Sequence, residues 1–171
     1  MKSTRLLLAL VSVAFFAAAC SKSDSHDHDK KSAHAGHARK APHGGTLVEI
    51  GDHQFNLEFV LDAATGKISA YILDAHAENF VRSALPSFQA VATVGTEKRT
   101  LTFMPVAYAA TGETVGDTSQ FDATADWLKT TPTFTGEIDS INIRGAVFKD
   151  IVFAFPAGTA AGHAEHAGHK H

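Results

Sequence analysis

The chain predicts an all-β domain: an antiparallel, immunoglobulin-like sandwich of about seven or eight short strands. Disordered histidine-rich tails are expected on either side of it. Three observations carry the prediction. Between residues 43 and 156, apolar residues recur with a period of two, the mark of a strand with one buried face. All five prolines (Pro42, Pro86, Pro105, Pro132 and Pro156) fall between those apolar runs, where no ladder hydrogen bond is lost. Turn-forming residues separate neighbouring runs at hairpin spacing.

The elements follow in order. Residues 45–50 form a first short strand. In residues 53–62, Phe55, Leu57, Phe59 and Leu61 alternate with Gln54, Asn56 and Glu58, so one face is apolar and the other polar. Ala63-Ala64-Thr65-Gly66 makes a turn into residues 67–74, whose Ile68, Ala70 and Ile72 share a face. A second hairpin joins residues 88–94 to 98–104 through Gly95-Thr96-Glu97. Residues 120–124 make a short strand, and residues 125–129 a helical turn bearing Trp127. A third hairpin turns at Arg144-Gly145 between residues 134–143 and 147–155, with Val147, Ile151, Phe153 and Phe155 expected on one face. Ten of the twelve phenylalanines lie in this middle region and are expected to fill its core.

The ends differ in kind from the middle. Lys2 and Arg5 precede a short apolar run, followed by Ala17-Ala18-Ala19 and the single cysteine, Cys20. That is the layout of a secretory signal, and the run is shorter than the roughly 20 residues that a membrane-spanning helix needs. The ending resembles the lipobox of bacterial lipoproteins, which implies a signal peptide over residues 1–19, lipid attachment at Cys20 and membrane anchoring. Ser21 in place of an aspartate after that cysteine resembles lipoproteins sent to the outer membrane. Residues 20–42 and 157–171 contain no large apolar side chain, so they cannot bury enough surface to offset the entropy of ordering.

Charge and cysteine usage narrow the chemistry. Without Lys2 and Arg5, 13 of the 15 basic residues remain against 18 acidic ones, a bias opposite to that of a nucleic-acid binder. With Cys20 committed to a lipid, no thiolate is left for a metal or a nucleophile. Histidine is the outlier, at 11 residues. His26, His28, His34 and His37 lie before the strands, with Asp27 and Asp29 beside them, and His163, His166, His169 and His171 lie after them. Imidazole suits Zn(II), Cu(II) and Ni(II), and histidine-rich tracts read as labile metal-binding segments. Methionine clusters expected of a Cu(I) site are absent. The competing reading makes the tails solvated spacers around a structural or partner-binding sandwich.

A second constellation follows from register. Pairing Asp62 with Lys67 sets Leu61 against Ile68, Phe59 against Ala70 and Leu57 against Ile72, so the two apolar faces coincide. Extended outward, the same register opposes Phe55 to Asp74 and His53 to His76, about 5 Å apart at Cβ, whereas a slip of two residues keeps the faces and leaves two separate surface histidines at the hairpin end. His43, at the entry to the first strand, is a further candidate ligand. Asp52 and Asp74 could complete or orient the set.

No enzyme is expected. His26-Asp27-His28-Asp29 begins like the HxHxDH of metallo-hydrolases, but Lys30 and Lys31 break it. HExxH, GxSxG and Walker sequences are absent. Residues 42–62, PHGGTLVEIGDHQFNLEFVLD, and 66–78, GKISAYILDAHAE, resemble a segment of small His-rich bacterial periplasmic lipoproteins. A similar segment occurs near the N-terminus of some periplasmic adaptor subunits of heavy-metal efflux pumps. The resemblance implies a periplasm-facing role in the cell envelope connected with metal ions and, as partner, a metal efflux complex. It supplies no ligand positions, and the long helical hairpin of an efflux adaptor has no counterpart in this sequence.

Overall fold

The computed structural model describes residues 39–157. Eight antiparallel strands build this part of the chain: β1 Thr46–Ile50, β2 Phe55–Asp62, β3 Lys67–Asp74, β4 Phe88–Val94, β5 Glu97–Pro105, β6 Gln120–Thr124, β7 Phe134–Ile143 and β8 Ala146–Phe155. Two single 3-10 turns, Ala109–Thr111 and Asp126–Lys129, interrupt them. The all-β expectation holds, and most strand bounds agree with the alternation to within a residue or two.

The strands form one continuous sheet in the order β1-β2-β3-β6-β5-β4-β7-β8. β5 is the joint. Its residues 97–103 pair with β4, whereas Met104 and Pro105 pair with β6. The sheet folds over at this strand, so its two halves face each other and the end strands β1 and β8 come into contact. There the Ala157 amide donates to the Thr46 hydroxyl at 3.0 Å. No ladder joins β1 to β8 among the described residues, so these two are the edge strands of the sheet.

The core is the shared interior of the two halves. Phe59 on β2 stacks on Phe153 of β8 with ring centroids 4.6 Å apart, and Phe88 stacks on Phe103 at the same separation. Phe59, Phe103 and Phe121 are fully buried, each stabilising the fold by roughly 2–3 kcal/mol on an area basis. Phe80 departs from the expected pattern. It lies in the connection between β3 and β4 and is 48% exposed.

The β2–β3 register is the one the apolar pattern predicts, from Asp62↔Lys67 to Phe55↔Asp74. Asp62 also closes the turn: its carboxylate accepts from the Ala64 amide at 3.0 Å and the Thr65 hydroxyl at 2.7 Å.

The β8 face needs a correction. Ile151, Phe153 and Phe155 point inward, but Val147 is 56% exposed. Asp150 has φ +54, and the facing pair between Ile138↔Ile151 and Ser140↔Lys149 is missing from the ladder. A left-handed residue breaks strict alternation, so beyond it the inward position passes from odd to even numbers. Phe148 therefore packs against the core and meets Phe55 edge-on at 5.8 Å. Phe148→Ala is expected to lower stability by about 2 kcal/mol, and Val147→Thr by less than about 0.5 kcal/mol. Equal losses in urea unfolding would contradict this exchange of faces.

Candidate functional site

The outer face of β2 was expected to meet solvent through its polar residues. Instead Asn56 is 1% exposed and Glu58 is fully buried, because residues 39–45 lie across them. The crossing explains the residue types at its centre. Pro42 and His43 occupy a tight turn closed by the Gly44 amide donating to the Ala41 carbonyl at 3.0 Å. Proline early and glycine late suit such a turn, and Gly44 takes φ +73. Gly45 then passes so close to β2 that a Cβ would collide with the Phe59 carbonyl oxygen and lie 2.8 Å from a Val60 methyl.

Glu58 anchors this segment. Its Oε1 accepts from the His43 amide at 2.7 Å and the Gly45 amide at 2.9 Å, and its Oε2 accepts from His43 Nδ1 at 2.9 Å. A carboxylate only accepts, so Nδ1 is the donor in this contact, and a ring protonated there alone has its lone pair on Nε2. A carboxylate that orients an imidazole in this way is the arrangement found behind metal-bound histidines. The His43 ring stacks on Tyr71 at 4.0 Å and lies 5.5 Å from Phe80. Burial pushes the Tyr71 phenol upward in pKa, against a hydrogen bond with Ser69.

Further along the same crossing, Arg39 donates to Glu49 at 2.6 Å and to Asn56 at 3.4 Å. His53 Nδ1 lies 2.7 Å from the same Glu49 oxygen and 2.8 Å from Arg39 Nη2. With a proton on Nδ1 the ring donates to Glu49; without one it accepts from Arg39. The Arg39 hydrogen bond holds the Glu49 carboxyl below its ordinary range against the opposing effect of burial, with help from the charges of His53 and Arg39.

His53 and His76 stand outside the ladder that was extended to oppose them, since pairing stops at Phe55↔Asp74. The chain turns away on both sides: Asp52 and His53 take φ +48 and +67, and Ala77 takes φ +58. Asp74 is occupied as a turn cap. It accepts from the His76 amide at 3.2 Å, the Glu78 amide at 2.9 Å and the Asn79 side chain at 2.6 Å. Burial raises its pKa, but these hydrogen bonds outweigh it and leave the carboxyl below the usual range. Among the described residues, no group of three or more His, Cys, Asp and Glu side chains is placed to hold a metal ion. Cys20, His26, His28, His34, His37, His163, His166, His169 and His171 lie outside the described residues.

One concavity is not foreshadowed by the alternation. A cleft of about 500 Å³ opens on the outer face of β3 and β6, bounded by His43, Tyr71, Phe80, Tyr108, Arg82 and Glu113. Two connections build it, residues 75–87 and 106–119, tied together by the Ser83↔Thr118 bridge. Glu113 Oε1 accepts from the Ser119 hydroxyl at 2.7 Å and its amide at 3.2 Å, and lies 3.8 Å from Arg82 Nε. Arg82 Nη1 reaches Asp117 at 3.1 Å, and Nη2 donates to the Thr111 carbonyl.

A second placement bears on the tails. Lys40, Ala41, Gly44 and Ala157 line one shallow depression, so the two ends of the described chain lie side by side. Compared with protein-family models, with curated proteins and with solved structures, the chain shows no match.

Proposed function

We propose that the protein is a lipid-anchored, periplasm-facing envelope protein that binds divalent transition metal, Zn, Cu or Ni, through its two histidine-rich tails. It buffers the ion or passes it to an efflux system. The observation that carries this reading is the common origin of the tails. Each bears four histidines, and their attachment points, near Arg39 and at Ala157, are neighbours. His37 is two residues from Arg39 and His163 six from Ala157, spans of at most roughly 7 and 21 Å at about 3.5 Å per residue. Imidazoles rooted together act on one ion at high effective concentration, so paired tails bind more tightly than either alone.

The test is a titration of the purified leaderless protein with Zn, Ni and Cu at about pH 7.5 and about pH 5.5, with either or both tails removed. Removing one tail is expected to weaken the tightest site by at least about ten-fold, because the second set of ligands is lost. Removing both abolishes that site. Acid weakens it too, since protons compete with the metal for the imidazole lone pairs. Indifference of the intact protein to all three ions at neutral pH would refute the proposal.

A further inference from the structure

The cleft bounded by His43, Tyr71, Phe80 and Tyr108 stands apart from the tails and invites a different ligand. Its size falls within the range of small-molecule sites. Its walls are aromatic, and two of them are unusually open: Phe80 is 48% and Tyr108 54% exposed. Neither ring belongs to the buried core, which other residues fill.

One carboxylate, Glu113, and one guanidinium, Arg82, line the cleft. Glu113 and Asp117 hold Arg82 between them, and the carbonyls of Thr111 and Gly112 also accept from its guanidinium. Both Nη atoms of that cation thus have acceptors. Glu58 adds a further carboxylate behind the His43 ring. A second cation, Arg144, donates from Nε to the Arg82 carbonyl at 3.1 Å, and Glu113 is the carboxylate that lines the cleft beside the aromatic rings.

Glu113 also has capacity to spare. Its Ser119 and Arg82 contacts all fall on Oε1. Oε2 takes no part in those contacts, and the side chain, though buried, forms part of the cleft wall. Aromatic faces beside a carboxylate oxygen form the arrangement that recognises organic cations: the rings attract the charge through their quadrupoles, and the carboxylate accepts its N–H.

We propose that this cleft binds an organic cation, an alkylammonium or guanidinium group, held between the Phe80 and Tyr108 rings with its N–H directed to Glu113. The cation comes either from a free amine or from a basic side chain of a protein. The site is independent of the metal reading, and the test below uses metal-stripped protein so that the two can fail separately.

The experiment is an NMR titration of the purified protein, both tails intact, with butylammonium, tetramethylammonium, butanol, butyrate and the peptide Gly-Lys-Gly. Butylammonium is expected to give saturable shifts at Phe80, Tyr108 and Ser119 that weaken with added salt, and butanol and butyrate are not. Tyr108→Ala removes an exposed ring without touching the core and should weaken binding about five-fold. Glu113→Gln keeps an oxygen for Ser119 and should weaken butylammonium about ten-fold but tetramethylammonium much less, since the latter has no N–H to donate. Gly-Lys-Gly binding tighter than butylammonium supports the proposal with a protein side chain as the source. Gly-Lys-Gly no tighter than butylammonium supports it with a free amine. Butyrate saturating the same resonances, butanol matching butylammonium, or no saturable shift with any amine overturns it.

Discussion

Glu58→Ala is expected to destabilise the domain by about 3 kcal/mol, the range found when one partner of a buried charged network is removed. The side chain is fully buried, and both of its oxygens are engaged. Truncation strands the His43 and Gly45 amides against β2 and leaves the His43 ring without its anchor. Each unsatisfied buried donor costs about 1–3 kcal/mol, with partial relief as water enters. Glu58→Gln retains an acceptor for the two amides and should lose about half as much. His43→Ala leaves those amides paired and should cost about 1 kcal/mol. Urea unfolding of the three variants gives the order directly. A loss below about 1 kcal/mol for Glu58→Ala would mean that residues 39–45 are not held to β2 in the way described. The substitution also bears on function, because His43 forms one wall of the cleft and Arg39, the last described residue before the N-terminal tail, belongs to the same crossing.

Gly136→Val is expected to cost about 3 kcal/mol, at the upper end for overpacking. Gly136 sits on β7 directly across from Phe153. A Cβ there would collide with the Phe153 ring, whose edge carbon would lie only 2.6 Å away. That ring cannot move aside cheaply, since it stacks on Phe59 at an interplanar angle of 7° and meets Phe134 edge-on. Phe153→Leu in the same chain makes room, so the double variant should be more stable than the sum of the two single losses predicts, by about 1 kcal/mol. Simple additivity in thermal or urea unfolding would show that the two sites are not in contact. The glycine is thus a packing residue, placed where the Phe153 ring leaves no room for a side chain.

The comparison of sequence with structure turns on period. Where a strand has one buried face, alternation gives its location, its direction and even its partner. The β2–β3 register, from Asp62↔Lys67 to Phe55↔Asp74, follows from matching Leu61, Phe59 and Leu57 to Ile68, Ala70 and Ile72. Extension of that register to His53 and His76 did not carry through, because positive-φ residues turn both chains out of the ladder. Local pattern has no means of showing where pairing stops. Val147 shows the same limit, since the break at Asp150 is a backbone event with no signature in hydropathy. Glu58 is the clearest case. Read along β2 it is one more outward polar residue, and its burial depends on residues 39–45, which lie 13 or more positions away in the chain.

By itself the sequence determined the all-β class, nearly every strand, the core phenylalanines and the concentration of imidazole at both ends, because each of these depends on residue type and nearest-neighbour spacing. The tertiary structure alone decided how β5 joins the two halves of the sheet, which brings Ala157 beside Thr46. It also decided which polar residues of β2 are buried, and that Phe80 and Tyr108 flank a cleft in place of joining the core. These outcomes rest on contacts between segments remote in the chain, and the pairing of such segments is set by how the whole sheet closes, not by the composition of any one strand.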